Sequence, residues 1–208
     1  GFIEQQPSAA PFHDWNERIH AECYQPNASA VISDPVTGET RAINNYEHIS
    51  FNFGPTLLSW LEQNHPETYN RIIEADRASV LTHQGHGNAI AQAYGHAILP
   101  LCNERDLHTQ IRWGLAGFRH RFGREAEAMW LPETACNGRV LDALIEEGLR
   151  YVILAPHQAA RVSTGSGSDR VNNPTENLDT SIPYRYTHTT DVDGSIAVFF
   201  YQGPVSRA

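Results

Sequence analysis

The chain has 208 residues, enough for one domain with a sizeable core and short for two. It is 40% hydrophobic and 19% charged, a balance that excludes a disordered chain. A formal net charge of -9 with no Lys/Arg run excludes a nucleic-acid binder and suits a neutral, polar ligand better.

Residues 1–48 read as irregular, rich in Pro, Asn and His, with few clean periodic signals. Regularity begins at Ser50-Phe51-Asn52-Phe53, which alternates, ends at Gly54 and predicts a strand. Pro55 and Pro66 each suit a first helical turn, where the missing N–H is no loss, so a helix is predicted from each. Tyr69, Ile72 and Ile73 share a face of the second. Val80-Leu81-Thr82 reads as a short strand running into Gly85-His86-Gly87, with a helix from Asn88. A longer helix is predicted over residues 105–122, with Leu107, Ile111, Leu115, Phe118 and Phe122 as its apolar stripe. Arg119, Arg121 and Arg124 suit the negative end of its dipole. Ala128-Met129-Trp130-Leu131 is a predicted strand. Asn137 caps a helix bearing Val140, Leu141, Leu144 and Ile145, which Gly148 ends. Tyr151-Val152-Ile153-Leu154-Ala155 is continuously apolar, as in a parallel strand covered on both faces. Residues 163–181 read as a polar loop, and Ile196-Ala197-Val198-Phe199-Phe200-Tyr201 as the last strand.

Strands alternating with helices imply βαβ units and a parallel sheet, a pattern that a doubly wound sheet and a barrel both satisfy. No GxGxxG or P-loop supports nucleotide binding, and no internal repeat is present. No apolar run reaches the ~18–20 residues of a membrane helix, and no signal peptide is visible. The three cysteines, Cys23, Cys102 and Cys136, form no Cys-x-x-Cys pair, so free thiols in a reducing, cytoplasmic setting are expected. The chain opens at Gly1 without Met and closes at Val205-Ser206-Arg207-Ala208 straight after an apolar run. Both ends read as cuts within a larger fold.

In parallel α/β folds the loops after strand C-termini build the site. Glu133 is placed there by Pro132, which ends the strand ladder and stiffens the segment, and Trp130 beside it offers a wall for a sugar to stack on. A plainer role for Glu133 is capping the next helix or pairing with an arginine. His86, between two glycines, and His157, after Pro156, also follow predicted strands, so three strand ends would deliver Glu133, His86 and His157 to one rim. The segment Phe12-His13-Asp14-Trp15-Asn16-Glu17 mixes aromatic and polar groups as a hydroxyl-rich ligand requires, with His13, Asp14 and Trp15 as the binding candidates. Asn16 and Glu17 serve equally well by satisfying their own backbone. Asn52 is a polar candidate inside a strand, whereas His96 and His108 fall in predicted helices and read as structural. Cys136 lies near Glu133 but has no evident basic partner, which argues against a nucleophilic thiol.

The heptapeptide Met129-Trp130-Leu131-Pro132-Glu133-Thr134-Ala135 resembles the nucleophile motif of glycoside hydrolase family 57. The stretches at residues 13–18, 49–61, 85–92 and 153–159 resemble one branch of the same superfamily. The resemblance implies a (β/α)7-type parallel barrel, incomplete in this chain, within one catalytic domain over residues 1–208. It also implies hydrolysis or transfer of α-glucans with retention, with Glu133 as nucleophile. Retention needs a second carboxyl ~5–5.5 Å away, which the family draws from an aspartate late in the barrel. Asp191 and Asp193 lie in a polar turn and are poor candidates, so the acid/base is expected outside this chain. The family's early histidine motif is missing, and Gln202 stands where relatives carry an acid, so the catalytic pair is expected to be incomplete.

The expected partner is an oligo- or polysaccharide, with no cofactor, metal, nucleic acid or membrane, and the oligomeric state is open. Two alternatives remain. One is a metal-dependent carbohydrate deacetylase drawing on Asp14, His13, His86 and His157, although no HxxxH pair gives clean metal spacing. The other is a non-catalytic carbohydrate-binding module.

Overall fold

A computed structural model describes residues 3–163, 170–172 and 178–206. The chain forms two compact units, one of residues 1–51 and 57–89, the other of residues 52–56 and 90–208.

The first unit is mainly helical. Asp14 starts α1 (Trp15–Ile19), its carboxylate accepting the N–H groups of Asn16 at 2.9 Å and Glu17 at 3.1 Å. The helix widens into a π-helical turn over His20–Tyr24 and continues as α2 (Gln25–Ala28). The antiparallel hairpin β1 (Ala30–Ser33) and β2 (Thr40–Ile43) follows. Asp34 shapes its turn by accepting the N–H groups of Val36 at 2.7 Å and Thr37 at 2.9 Å, and Gly38 supplies the left-handed residue at φ 73°. Residues 1–48 are therefore not irregular. Their helices are one or two turns long, too short to show a period, and the hairpin is exposed on both faces. After β3 (Phe51–Asn52), prolines open α3 (Pro55–Asn64) and α4 (Pro66–Thr82), as the sequence predicts.

Residues 80–82 are a correction: they are the last turn of α4, not a strand. The buried residues Ile72, Ile73, Ala75, Asp76 and Ser79 recur at helical spacing, whereas Leu81 is 85% exposed. Buried Asp76 accepts the N–H of Ala89 at 2.8 Å and the Ser79 hydroxyl accepts that of Asn88 at 2.9 Å, fixing the entry to β4 (Ala89–Gln92). The helix predicted from Asn88 is therefore this strand. All four of its residues are buried, and a central strand shows no alternation to betray it.

The second unit is a sheet with helices on it. β4 runs parallel to β5 (Met129–Trp130), with Ala91 opposite Met129 and Gln92 opposite Trp130. A parallel bridge from Ala128 to Tyr151 joins β5 to β6 (Tyr151–Leu154). A short antiparallel pair, β7 (Arg161–Ser163) and β8 (Arg170–Asn172), interrupts the polar stretch read as a loop over residues 163–181. Within that stretch, residues 164–169 and 173–177 lie outside the described residues. β9 (Tyr184–Thr187) pairs antiparallel with β10 (Ser195–Phe200), which lies parallel to β6.

Helix α5 (Glu104–Phe122) is capped by Asn103 and stopped by Gly123 at φ 69°. It buries Leu107, Ile111, Phe118 and Phe122, with Leu115 half-buried at the edge of the stripe. Each of the larger residues contributes about 1.5–3 kcal/mol on full burial. The helix comes so near the sheet that a Cβ on Gly114 would lie 2.1 Å from the backbone oxygen of Gln92. Helix α6 (Gly138–Glu146), capped by Asn137 through the N–H of Val140 at 3.0 Å, buries Val140, Leu141 and Leu144. A last helical turn, α7 (Gly203–Ser206), follows β10. Among the described residues no helix is long and apolar enough to cross a membrane. The architecture is mixed α/β with parallel sheets, as the sequence predicts at that level.

Candidate active site

β5 ends at Trp130, and Pro132 holds the next residue, Leu131, in extended geometry, ψ 127°. A single 3-10 turn, Pro132–Thr134, follows, closed by the N–H of Thr134 on the Leu131 oxygen at 2.9 Å and of Ala135 on the Pro132 oxygen at 3.0 Å. Glu133 and Thr134 sit in the left-handed region at φ 55° and 52°. That conformation costs an L-residue about 1–2 kcal/mol, and Thr, being β-branched, tolerates it poorly. The turn leaves the Glu133 carboxylate exposed, with no hydrogen bond or ion pair among the described residues. Capping of the next helix falls to Asn137, so the plain structural roles weighed for Glu133 are not the ones it takes.

β6 ends in the same way. Ala155 is extended, and Pro156–Gln158 form a 3-10 turn with His157 exposed at its middle position. The Gln158 amide ties the two turns together. Its Oε1 accepts the N–H of Ala155 at 2.8 Å while its Nε2 donates to the backbone oxygen of Thr134. Parallel bridging between Ala128 and Tyr151 puts both turns at the C-terminal ends of neighbouring strands. Glu133 and His157 thus occupy matched positions on one rim.

Paired residues of a parallel ladder share a face, so half-buried Trp130 and buried Gln92 point to the side opposite Ala91 and Met129. Gln92 donates its side-chain Nε2–H to the side-chain Oδ1 of Asn52. Asn52 is thus an internal hydrogen-bonding group at the end of its strand, and a Cβ on Gly54 would press to 3.0 Å on Gln92 Oε1. Gln92 and Gln158 were not singled out from sequence. For Gln92 the signal was present as one polar residue within the run Ala89-Ile90-Ala91-Gln92-Ala93.

The remaining candidates stand differently. Asp14 is buried, with Oδ1 on the two N–H groups at the start of α1 and Oδ2 hydrogen-bonded to His13 Nδ1 at 2.8 Å. The His13 bond, acting with those N–H groups against burial, holds its carboxyl below the usual range. Trp15 is 42% exposed, donates Nε1–H to the Ser8 hydroxyl at 3.0 Å and carries the Arg18 guanidinium 5.0 Å from its ring centroid. His86 is exposed in the turn entering β4. It precedes a strand instead of following one, so the strand-end argument for it falls with the misread strand at residues 80–82. His96 is not helical but sits in a turn at φ 53°, while His108 is structural as read, bonded to Glu147 at 3.0 Å and Glu104 at 3.2 Å. Burial pushes the Cys136 thiol up to about 12, which leaves it protonated and unfit as a nucleophile. Asp191 and Asp193 lie in the turn before β10, at the strand end opposite the one that His157 follows.

An exposed carboxylate on a strained turn, with an imidazole on the turn that ends the neighbouring strand and an indole in its own strand, suits covalent or acid–base chemistry on a neutral polar ligand. The model of Glycosyl hydrolase family 57 matches residues 10–208. The chain belongs to this family. Within the curated proteins, residues of this family-57 chain are 26% identical over 106 positions to "Alpha-amylase 1" of Dictyoglomus thermophilum, covering 51% of the chain and 15% of that protein. They are 28% identical over 106 positions to "Alpha-amylase" of Pyrococcus horikoshii, covering 51% and 16%. The chain therefore spans a small part of the length of these relatives. Among solved structures, 4-alpha-glucanotransferase from Thermococcus litoralis superposes with a TM-score of 0.55 and 21% identity over 78% of the chain and 23% of that structure. That likeness shows a shared fold.

Proposed function

We propose that this family-57 chain contributes the nucleophile side of a retaining α-glucan hydrolase or glucanotransferase, with Glu133 as nucleophile. The observation that carries the reading is the Glu133 carboxylate itself, without a partner among the described residues and set on a left-handed turn directly after a parallel strand. Backbone strain of this kind gathers where function requires a side chain to be aimed. Membership in the family supports the reaction class, and the printed names of its relatives, alpha-amylase and 4-alpha-glucanotransferase, support the glucan.

In this reading Glu133 attacks the anomeric carbon to give a covalent glycosyl-enzyme, and a second carboxyl protonates the leaving oxygen and then activates water or an acceptor hydroxyl. That acid/base is supplied by a segment other than the described residues, in a (β/α)7-type barrel that this sheet helps to form. Trp130 offers its ring to a sugar, and His157 and Asn52 offer hydrogen bonds to hydroxyls. A sugar-binding role for His13, Asp14, Trp15 and His86 rests on the residue types of their segments and on the family resemblance.

The test is Glu133→Gln in the full-length protein with a soluble α-glucan. Turnover should fall by at least about 10³-fold with glucan binding retained. Azide should restore activity to Glu133→Gly and leave a glycosyl azide of inverted configuration. Undiminished turnover by Glu133→Gln would remove this residue from the mechanism.

A further inference from the structure

We propose that Glu17, His20 and His65, none of them assigned to catalysis, form a binding site for a divalent transition-metal ion of the zinc class. The three side chains each bring one donor atom to within 4.8 Å of the other two, the group among the described residues that does so. None of the three belongs to the set His13, Asp14, His86 and His157 from which a deacetylase metal centre was weighed.

Local structure aims these donors. Glu17 and His20 are three residues apart on one helical face, and His20 opens the π-helical turn His20–Tyr24. Single π turns within α-helices occur often at functional sites, because the extra residue re-aims a side chain. His65 stands between α3 and α4, its N–H on the Leu61 oxygen at 2.7 Å and its own oxygen accepting from Tyr69 at 3.0 Å. The two imidazoles stack with centroids 3.5 Å apart and planes at 18°, and the Trp60 ring lies 5.0 Å from His65 and 6.3 Å from His20.

The donor chemistry selects the ion. Two imidazoles and one carboxylate match a three-ligand zinc site with its fourth position open to solvent, whereas Ca²⁺ and Mg²⁺ prefer oxygen ligands. His65 Nε2 already meets Glu17 Oε2 at 2.9 Å, a contact the ion would replace with bonds of about 2.0–2.2 Å. The Thr68 hydroxyl meets His20 Nε2 at 2.9 Å. It fixes the ring, the kind of outer-shell hydrogen bond that metal-binding histidines commonly make. Burial decreases from His20, 5% exposed, to the side chains of His65 and Glu17, at 24% and 34%, so the ion has a path in from the carboxylate side.

The probes are Zn²⁺, followed by calorimetry, and Co²⁺, whose visible absorption reports coordination by nitrogen and oxygen. The 208-residue chain should bind one equivalent of either. Glu17→Gln and His65→Asn, both at partly exposed positions, should each weaken binding by at least about 100-fold with an unchanged far-UV spectrum, and Thr68→Val by about 10-fold. No saturable binding by the parent chain, or equal binding by Glu17→Gln and His65→Asn, would overturn the proposal. Neither outcome bears on Glu133, so this site and the proposed activity stand or fall separately.

Discussion

Helix α5 carries two glycines three residues apart, and the structure assigns them opposite responses to the same substitution. In a helix interior, Gly→Ala gains about 1 kcal/mol, since alanine gives up less backbone entropy. At Gly117 the added methyl would find its nearest neighbour, Pro55 Cγ, at 3.8 Å, an ordinary contact. Gly117→Ala should keep the whole gain and raise Tm by about 2–4 °C. At Gly114 the methyl would meet the backbone oxygen of Gln92 at 2.1 Å, with Met129 Cε at 3.4 Å behind it. A carbon and a carbonyl oxygen sit no closer than about 3.3 Å even in favourable contacts, so helix and strand must part by roughly 1 Å. Overpacking of this kind costs about 1–3 kcal/mol and occasionally more, and here the clash is with backbone, which has no rotamer to escape into. The propensity gain is therefore offset or reversed. The two variants should differ by the overpacking cost, about 1–3 kcal/mol, read as urea midpoints at equal slope. Gly114→Ala as stable as Gly117→Ala would refute the close approach of α5 to β4, and with it the layering of the second unit.

Two further outcomes follow from local geometry. Glu133→Gly should raise stability by about 1 kcal/mol as it loses turnover, because glycine accepts φ 55° without strain; thermal melts showing destabilisation would mean that the turn is unstrained. The β1–β2 turn should be acid-sensitive. The N–H groups of Thr37 and then Val36 hold the Asp34 carboxyl below its ordinary range. Its stabilisation is thus complete above the unfolded value of about 4 and is lost as pH falls through the lower folded value. Amide shifts of Val36 and Thr37 should move below pH ~4 in the parent chain and stay flat in Asp34→Asn.

Long elements with a clear period were legible in the sequence. Helix α5 announces itself through its apolar stripe and the arginines at its end, and β6 through an unbroken apolar run. The failures share a cause. Residues 80–82 and 88–92 were exchanged because a buried strand and a helix end both present short apolar runs without alternation, and only tertiary pairing tells them apart. At residues 80–82 the error had a consequence, since it alone placed His86 after a strand. The short elements of residues 1–48 depend on single side chains, Asp14 for α1 and Asp34 for the hairpin, whose capping role a composition scan does not register.

The candidate site was legible in part, through proline. Leu131-Pro132-Glu133-Thr134 and Ala155-Pro156-His157-Gln158 are one device used twice. Proline ends the ladder, begins a 3-10 turn and leaves the next residue exposed past the strand. Sequence shows the device but not what holds two copies in register. The parallel bridge from Ala128 to Tyr151 does so at the strand level, and the Gln158 amide at the turns, by donating to Thr134 and accepting from Ala155. A half-buried amide with one bond in each turn transmits any displacement of one to the other. The position of Glu133 is thereby a property of two strands, and its strained backbone is held from outside its own turn.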